Sequence, residues 1–287
     1  MLGPTPPYEA HGPIDVMQPL LLDSPHSGRV FPGDFGAAVS EHALRDGEDC
    51  FVDELWRPAT ARGVWLLAAT CARTYIDVNR HRGDIDLDLL DGGQWPDDHE
   101  PSGKAAIGKA LVWRTLADGT PIDRRKLGVD EMRARIERWH RPYHRALAER
   151  IDATHARFGV SVHLDCHSMN AVAGAGGVGS AGEIRADVVL GDRDGTSCDP
   201  ALTQRVREVL AGMGYDVRVN DPYKGVELVR AYADPAAGRH SLQIELNKRL
   251  YMDEATRSRH GGFEALQGNL LVLVDALLEF VRSTSRP

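Results

Sequence analysis

Short apolar runs alternate with helical patterns along nearly the whole 287-residue chain, and this constrains its fold more than any other feature. "PLLLDSPHSG" reads as a buried strand that ends at Asp23 and passes into a turn. In "CFVDELWRPATARG", Val52, Leu55, Trp56 and Ala59 fall at helical spacing, and Gly63 closes the pattern. "VWLLAAT" and "TYIDVN" follow as strands. The longest helical pattern runs from about Asp130 to Phe158, with Met132, Ile136, Trp139, Tyr143, Leu147 and Ile151 as its apolar stripe. Pro142 is expected to kink or split it. Strands recur at "VSVHLDC", "ADVVLGD", "YDVRVN" and "SLQIEL", and an amphipathic helix from roughly Ser258 to Val281 closes the chain. Apolar strands separated by helices predict an α/β fold whose mainly parallel sheet is covered on both faces. Functional sites in such sheets lie at the carboxyl ends of the strands.

No composition shift marks a second domain, so one domain is expected over residues 18–287, after a loose proline-rich tail over 1–17. Residues 83–126 are rich in Asp, Gly and Pro with weak periodicity, and loops of that length are usually functional or mobile. A formal charge of −8 disfavours nucleic acid and anionic membranes as partners. It is compatible with a small anionic substrate, because local arginines reverse the sign of a pocket. No apolar run reaches the roughly 20 residues of a membrane span. The N-terminus has neither the basic nor the apolar region of a secretory signal. Cys50, Cys71, Cys166 and Cys198 are far apart and form no C-x-x-C pair, which suits a reduced, cytoplasmic enzyme.

Four constellations carry possible chemistry. In "VSVHLDCHSMN" the β-branched flanks favour a strand. His163 and His167 then share a face about 13 Å apart, too far to hold one ion. His167 falls at the carboxyl end, and His163 lies deeper as a core histidine. Asp165 shares the face of His167 and is placed to orient it from behind. Cys166 points to the opposite face, which makes a Cys–His nucleophilic pair geometrically poor. "SPHSG" places His26 at the same sheet edge, where it is either structural or a metal ligand. "DGEDCFVDEL" offers Asp46, Glu48, Asp49, Asp53 and Glu54, some of which must simply cap a helix. Glu245, within the apolar "QIELN", is either a general base with a raised pKa or a glutamate paired with an arginine. Arg73, Asn79 and Arg80 cluster in "CARTYIDVNRHRGD", where arginine suits carboxylates or surface ion pairs. "GAGGVG" at 174–179 matches a dinucleotide fingerprint literally, but a strand follows it instead of a helix. It reads as a loop beside the site and a candidate lid.

In this order, "SPHSG", "DCFVDEL", "YIDVNR", "HRPYH", "LDCHSM", "PYKG" and "LQIELNKRLYMDE" resemble the N-formylglutamate amidohydrolase family, which is related to zinc carboxypeptidases and aspartoacylases. The likeness covers roughly residues 20–280. It implies a three-layer α/β/α sandwich, zinc-carboxypeptidase-like, with one Zn2+ and hydrolysis of the formyl amide of N-formyl-L-glutamate or a similar N-formyl amino acid. By position, His26 and His167 look like the imidazole ligands and Glu245 like the catalytic glutamate. Asn79 and Arg80 look like the pair that holds a substrate carboxylate, with Arg114 or Arg230 for a second one. Arg73 resembles the arginine that steadies the developing oxyanion. An H-x-x-E glutamate would fall at position 29, which is Arg29. The carboxylate ligand must therefore come from elsewhere, with Asp49 first and Glu48 or Asp53 behind it. A related enzyme for another N-acyl amino acid, a carboxypeptidase-like peptidase and a non-catalytic anion-binding protein are the competing readings. Joint presence of His26, His167 and Glu245 speaks against the last.

Overall fold

A computed structural model describes residues 5–174 and 180–284. Seven strands make the main sheet: β1 (Tyr8–His11), β2 (Leu20–Ser24), β3 (Trp65–Ala69), β4 (Ser161–Met169), β5 (Val188–Gly191), β6 (Val217–Val219) and β7 (Arg239–Asn247). Their order is β1-β3-β2-β4-β7-β5-β6. The pairings β2–β3, β2–β4, β4–β7 and β5–β6 are parallel, whereas β1–β3 and β5–β7 are antiparallel. The sheet is thus mixed and mainly parallel, and its central strands are buried on both faces as their unbroken apolar runs require.

The helices are α1 (Glu41–Leu44), α2 (Val52–Trp56), α3 (Val129–Arg135), α4 (Arg141–Phe158), α5 (Pro200–Gly212), α6 (Glu227–Tyr232) and α7 (Gly262–Thr284). Side-chain alternation sorts the core. Leu20, Leu22, Val162, Leu164 and Cys166 pack with residues of α2, α5 and α7 on one face. Leu21, Trp65 and Leu67 pack with Tyr143, Leu147 and Ile151 of α4 on the other. This gives the three layers of an α/β/α sandwich.

Several elements differ from the sequence-based expectation. The expected tail contains β1, which pairs with β3 through Tyr8↔Ala69 to His11↔Leu66. Residues 1–4 of that tail lie outside the described residues. "TYIDVN" is a series of turns and not a strand. Tyr75 and Ile76 face one core cluster and Val78 another, so burial alone produced its strand-like pattern. Pro142 sits at the second position of α4, directly after a π-helical turn over Ile136–His140 that absorbs its steric demand. The final helix starts at Gly262, because Ser258–Arg259 form β9, paired with β8 (Met252–Asp253). Most of the glycine-rich loop, residues 175–179, lies outside the described residues, and the expected lid with it.

The 83–126 segment is neither strand nor long helix. Its Ile85, Leu89, Leu90, Leu111, Val112 and Trp113 build a satellite core with Met132, Ile136 and Trp139. Among the described residues, no helix is long and apolar enough to cross a membrane.

Candidate active site

Parallel register aligns the site. His167 pairs with Glu245 across β4 and β7, so both side chains leave the same face near the carboxyl ends of their strands. His26 follows two residues after β2 in the "SPHSG" turn. Gly28 is required there, because a Cβ would fall 2.2 Å from the Cys71 carbonyl oxygen. The Asp49 N–H donates to the His26 carbonyl at 3.0 Å and ties the two segments together. Phe51 then adopts φ 64°, an unusual conformation for an aromatic residue, and the chain turns into α2 while Asp49 stays directed inward.

His26, Asp49 and His167 are buried and converge on one point. His26 Nδ1 and His167 Nδ1 are 3.1 Å apart, and Asp49 Oδ2 is 3.3 Å from the first and 3.0 Å from the second. Each imidazole faces a buried carboxylate through its other nitrogen. His26 Nε2 is 2.7 Å from Asp77 Oδ1, and His167 Nε2 is 2.8 Å from Asp165 Oδ1. Protons held at the Nε2 positions leave both Nδ1 lone pairs aimed at the Asp49 oxygen. In those tautomers three acceptors face one another without a donor, an arrangement that a cation relieves. Metal–ligand distances of about 2.0–2.1 Å in a tetrahedron give ligand–ligand edges of about 3.3 Å, which the observed triangle matches.

Among the side chains alone, shared protons hold the triangle together. Burial opposes charge on His167, but Asp165, Asp49 and Glu245 outweigh it and hold its pKa well above the ordinary range. Burial also raises the Asp49 carboxyl, yet its hydrogen bonds to His167 and His26 prevail and hold it low. Glu245 differs. Burial, with Asp49 and Asp165 nearby, pushes it up to about 7 against the pull of His167 and Arg73. It accepts a hydrogen bond from Gln243 Nε2 at 3.0 Å. No arginine hydrogen bond or ion pair to Glu245 occurs among the described residues.

These residues line a cavity of about 350 Å3 together with Arg73, Arg80, Lys104, Lys109, Trp113 and Tyr223. Arg73 is held by Asp77 at 2.7 Å and stacks 5.0 Å from the Trp113 ring. Asp77 thus joins His26 to Arg73. Arg80 donates to the backbone carbonyls of Asn79 and Lys109 and lies 4.0 Å from Asp77. Asn79 is more fully engaged than its expected substrate contact implies. Its Nδ2 donates to Asp165 Oδ2 at 3.2 Å and lies 2.9 Å from His167 Nε2, while its Oδ1 accepts from the Leu228 N–H.

Other expected residues lie elsewhere. Arg114 pairs with Asp86 at 2.6 Å and Arg230 with Glu227 at 2.8 Å, and neither lines the cavity. Glu48 is taken by Arg29 and Arg45, and Asp53 by Arg57, so neither reaches the two histidines. His163 is bonded to Asp23 and Ser241 within the core. Cys166 is fully buried among apolar side chains. Asp77, Lys104 and Lys109 were not foreseen. An acid inside the apolar "YIDVN" was the available signal for the first, and the aperiodic 83–126 segment offered none for the lysines.

A buried acid with a pKa near neutrality, beside converging metal-type ligands at a sheet edge, defines a hydrolase on an open α/β sheet. The chain belongs to the N-formylglutamate amidohydrolase family, whose family model matches residues 18–252. An N-formylglutamate deformylase of Pseudomonas aeruginosa is 32% identical over 273 residues, covering 92% of this chain and 94% of that protein. The N-formylglutamate deformylase of Pseudomonas putida is 31% identical over 240 residues, with 82% of each covered. The crystal structure of N-formylglutamate amidohydrolase from Ralstonia eutropha JMP134 superposes with a TM-score of 0.91 at 44% identity, covering 98% of this chain and all of that one.

Proposed function

We propose that the protein hydrolyses the formyl amide of N-formyl-L-glutamate to formate and glutamate. The single observation that carries this reading is the convergence of His26 Nδ1, His167 Nδ1 and Asp49 Oδ2 beside Glu245, in a chain whose relatives bear that activity in their names. His26, Asp49 and His167 would hold one Zn2+ or a similar divalent ion. Such an ion supplies Lewis acidity and lowers the pKa of water from about 15.7 toward about 7.

The remaining chemistry belongs to the chain's own side chains. Glu245, poised at about 7, takes a proton from the attacking water and passes it to the leaving amine. Arg73, fixed by Asp77 and Trp113, faces the cavity and steadies the negative charge that develops on the formyl oxygen. Removing one such donor typically costs about 100- to 1000-fold in rate. Arg80 receives a substrate carboxylate, and Asn79 donates to Asp165, the carboxylate behind the His167 imidazole. Four free, buried cysteines favour a reducing, cytoplasmic setting.

Formate release from N-formyl-L-glutamate, compared with N-acetyl-L-glutamate and a formylated dipeptide, tests the reading. A preference for the formylated amino acid is expected. Preferential turnover of the dipeptide would replace it with a peptidase.

A further inference from the structure

The cavity carries more positive charge than its own acids neutralise. Arg73 is paired with Asp77, and Arg80 shares Asp77 and Asp84 at 4.0 and 3.9 Å. Lys224, at the rim, is bonded to Asp194. Lys104 and Lys109 line the same cavity, yet among the described residues neither ammonium has a carboxylate within 4 Å. Asp46 is the acid whose field reaches Lys109.

The two lysines are presented as a unit. The Lys109 N–H donates to the Lys104 carbonyl at 2.9 Å, which closes a loop over a single 3-10 turn, Ala105–Ile107. Gly108 completes the loop at φ 68°, where a Cβ would meet Thr115 Oγ1 at 2.6 Å. The Lys109 ammonium lies 5.1 Å from the Trp113 ring, which Arg73 also flanks. The Lys109 backbone carbonyl accepts from Arg80, so the lysine loop and the arginine are mechanically joined. Burial and the neighbouring arginines disfavour charge on both lysines, a cost that a bound anion removes.

We propose that Lys104 and Lys109 form the receptor for a second carboxylate of the substrate, and thereby select dicarboxylic N-acyl amino acids over neutral ones. The first carboxylate goes to Arg80. This rests on the proposed amide hydrolysis and assigns its specificity to a loop that the Arg114 and Arg230 expectation overlooked.

The test compares N-formyl-L-glutamate with the near-isosteric, neutral N-formyl-L-glutamine in the metal-loaded wild type, Lys104→Met and Lys109→Met. The ratio of kcat/KM for the two substrates should fall about tenfold or more in each variant, mainly through KM for the dianion. An unchanged ratio overturns the proposal, even if both rates fall together. Calorimetric binding to the wild type does not depend on the variants or on turnover. Glutarate should bind at least tenfold more tightly than its monoamide, and the gap should narrow with salt. Equal affinities overturn the proposal. A wild type that releases no formate from either substrate refutes the hydrolytic reading, while the glutarate comparison still decides whether the cavity receives two carboxylates.

Discussion

His26 Nδ1 and His167 Nδ1 face each other at 3.1 Å, and each ring is braced from behind by a buried aspartate. The bracing predicts a graded effect. Asp165→Asn keeps the shape but loses the charge that holds the His167 Nε2 proton. Metal affinity, measured by competition with a chromogenic chelator, should fall about 10- to 100-fold. Unchanged affinity would show that the tautomer is set by something else.

In the proposed mechanism Glu245 acts apart from His26, Asp49 and His167. Glu245→Gln preserves volume and removes the base, so formate release should fall at least 100-fold while metal content remains at the wild-type level. Near-normal turnover would refute the assignment of Glu245 as the base.

Two buried histidines, His140 at the end of the π-helical turn and His144 in α4, predict a dependence of stability on pH. His140 Nε2 donates to the Arg80 carbonyl at 2.9 Å, and His144 Nε2 donates to the Val78 carbonyl at 2.8 Å. Burial pushes their pKa values down to about 4 and about 3. An unfolded chain binds protons on these rings below about pH 6.5, whereas the folded chain does so only near 4 and 3. More protons on the unfolded state means that stability falls as pH drops from about 7 toward about 4, by about 6 kcal/mol for the pair. Urea midpoints at pH 7.5, 6 and 5 should decline in wild type and decline less steeply in His144→Gln. Identical slopes would remove the histidines from the explanation.

Cys166 stands next to His167 in sequence but faces the core. Cys166→Ala should therefore retain turnover within about twofold and lose on the order of 1 kcal/mol of stability through the small cavity it leaves. Loss of turnover with an intact thermal transition would return the thiol to the site.

Much of this arrangement was legible in local pattern. The apolar runs of β2, β3, β4 and β7 announced a covered parallel sheet, and strand alternation separated Cys166 from His167. Glu245 stood out as an acid within a core strand. Long-range pairing was not legible. Arg114 meets Asp86, 28 positions away, and is removed from the site by a contact that no periodicity encodes. Tyr75 and Ile76 imitate a strand because both are buried in the satellite core of an irregular segment. Lys104 and Lys109 become a pair only when the loop around Gly108 closes. Strand and helix periods report which face is buried, whereas coil residues reach a site through tertiary packing alone.

The central claim is tested most directly by measuring metal content and formate release on the same preparation of folded protein. One divalent ion per chain is expected, with formate and glutamate released in equal amounts from N-formyl-L-glutamate and turnover lost when the ion is chelated and regained on its return. Full turnover by metal-free protein would contradict the account.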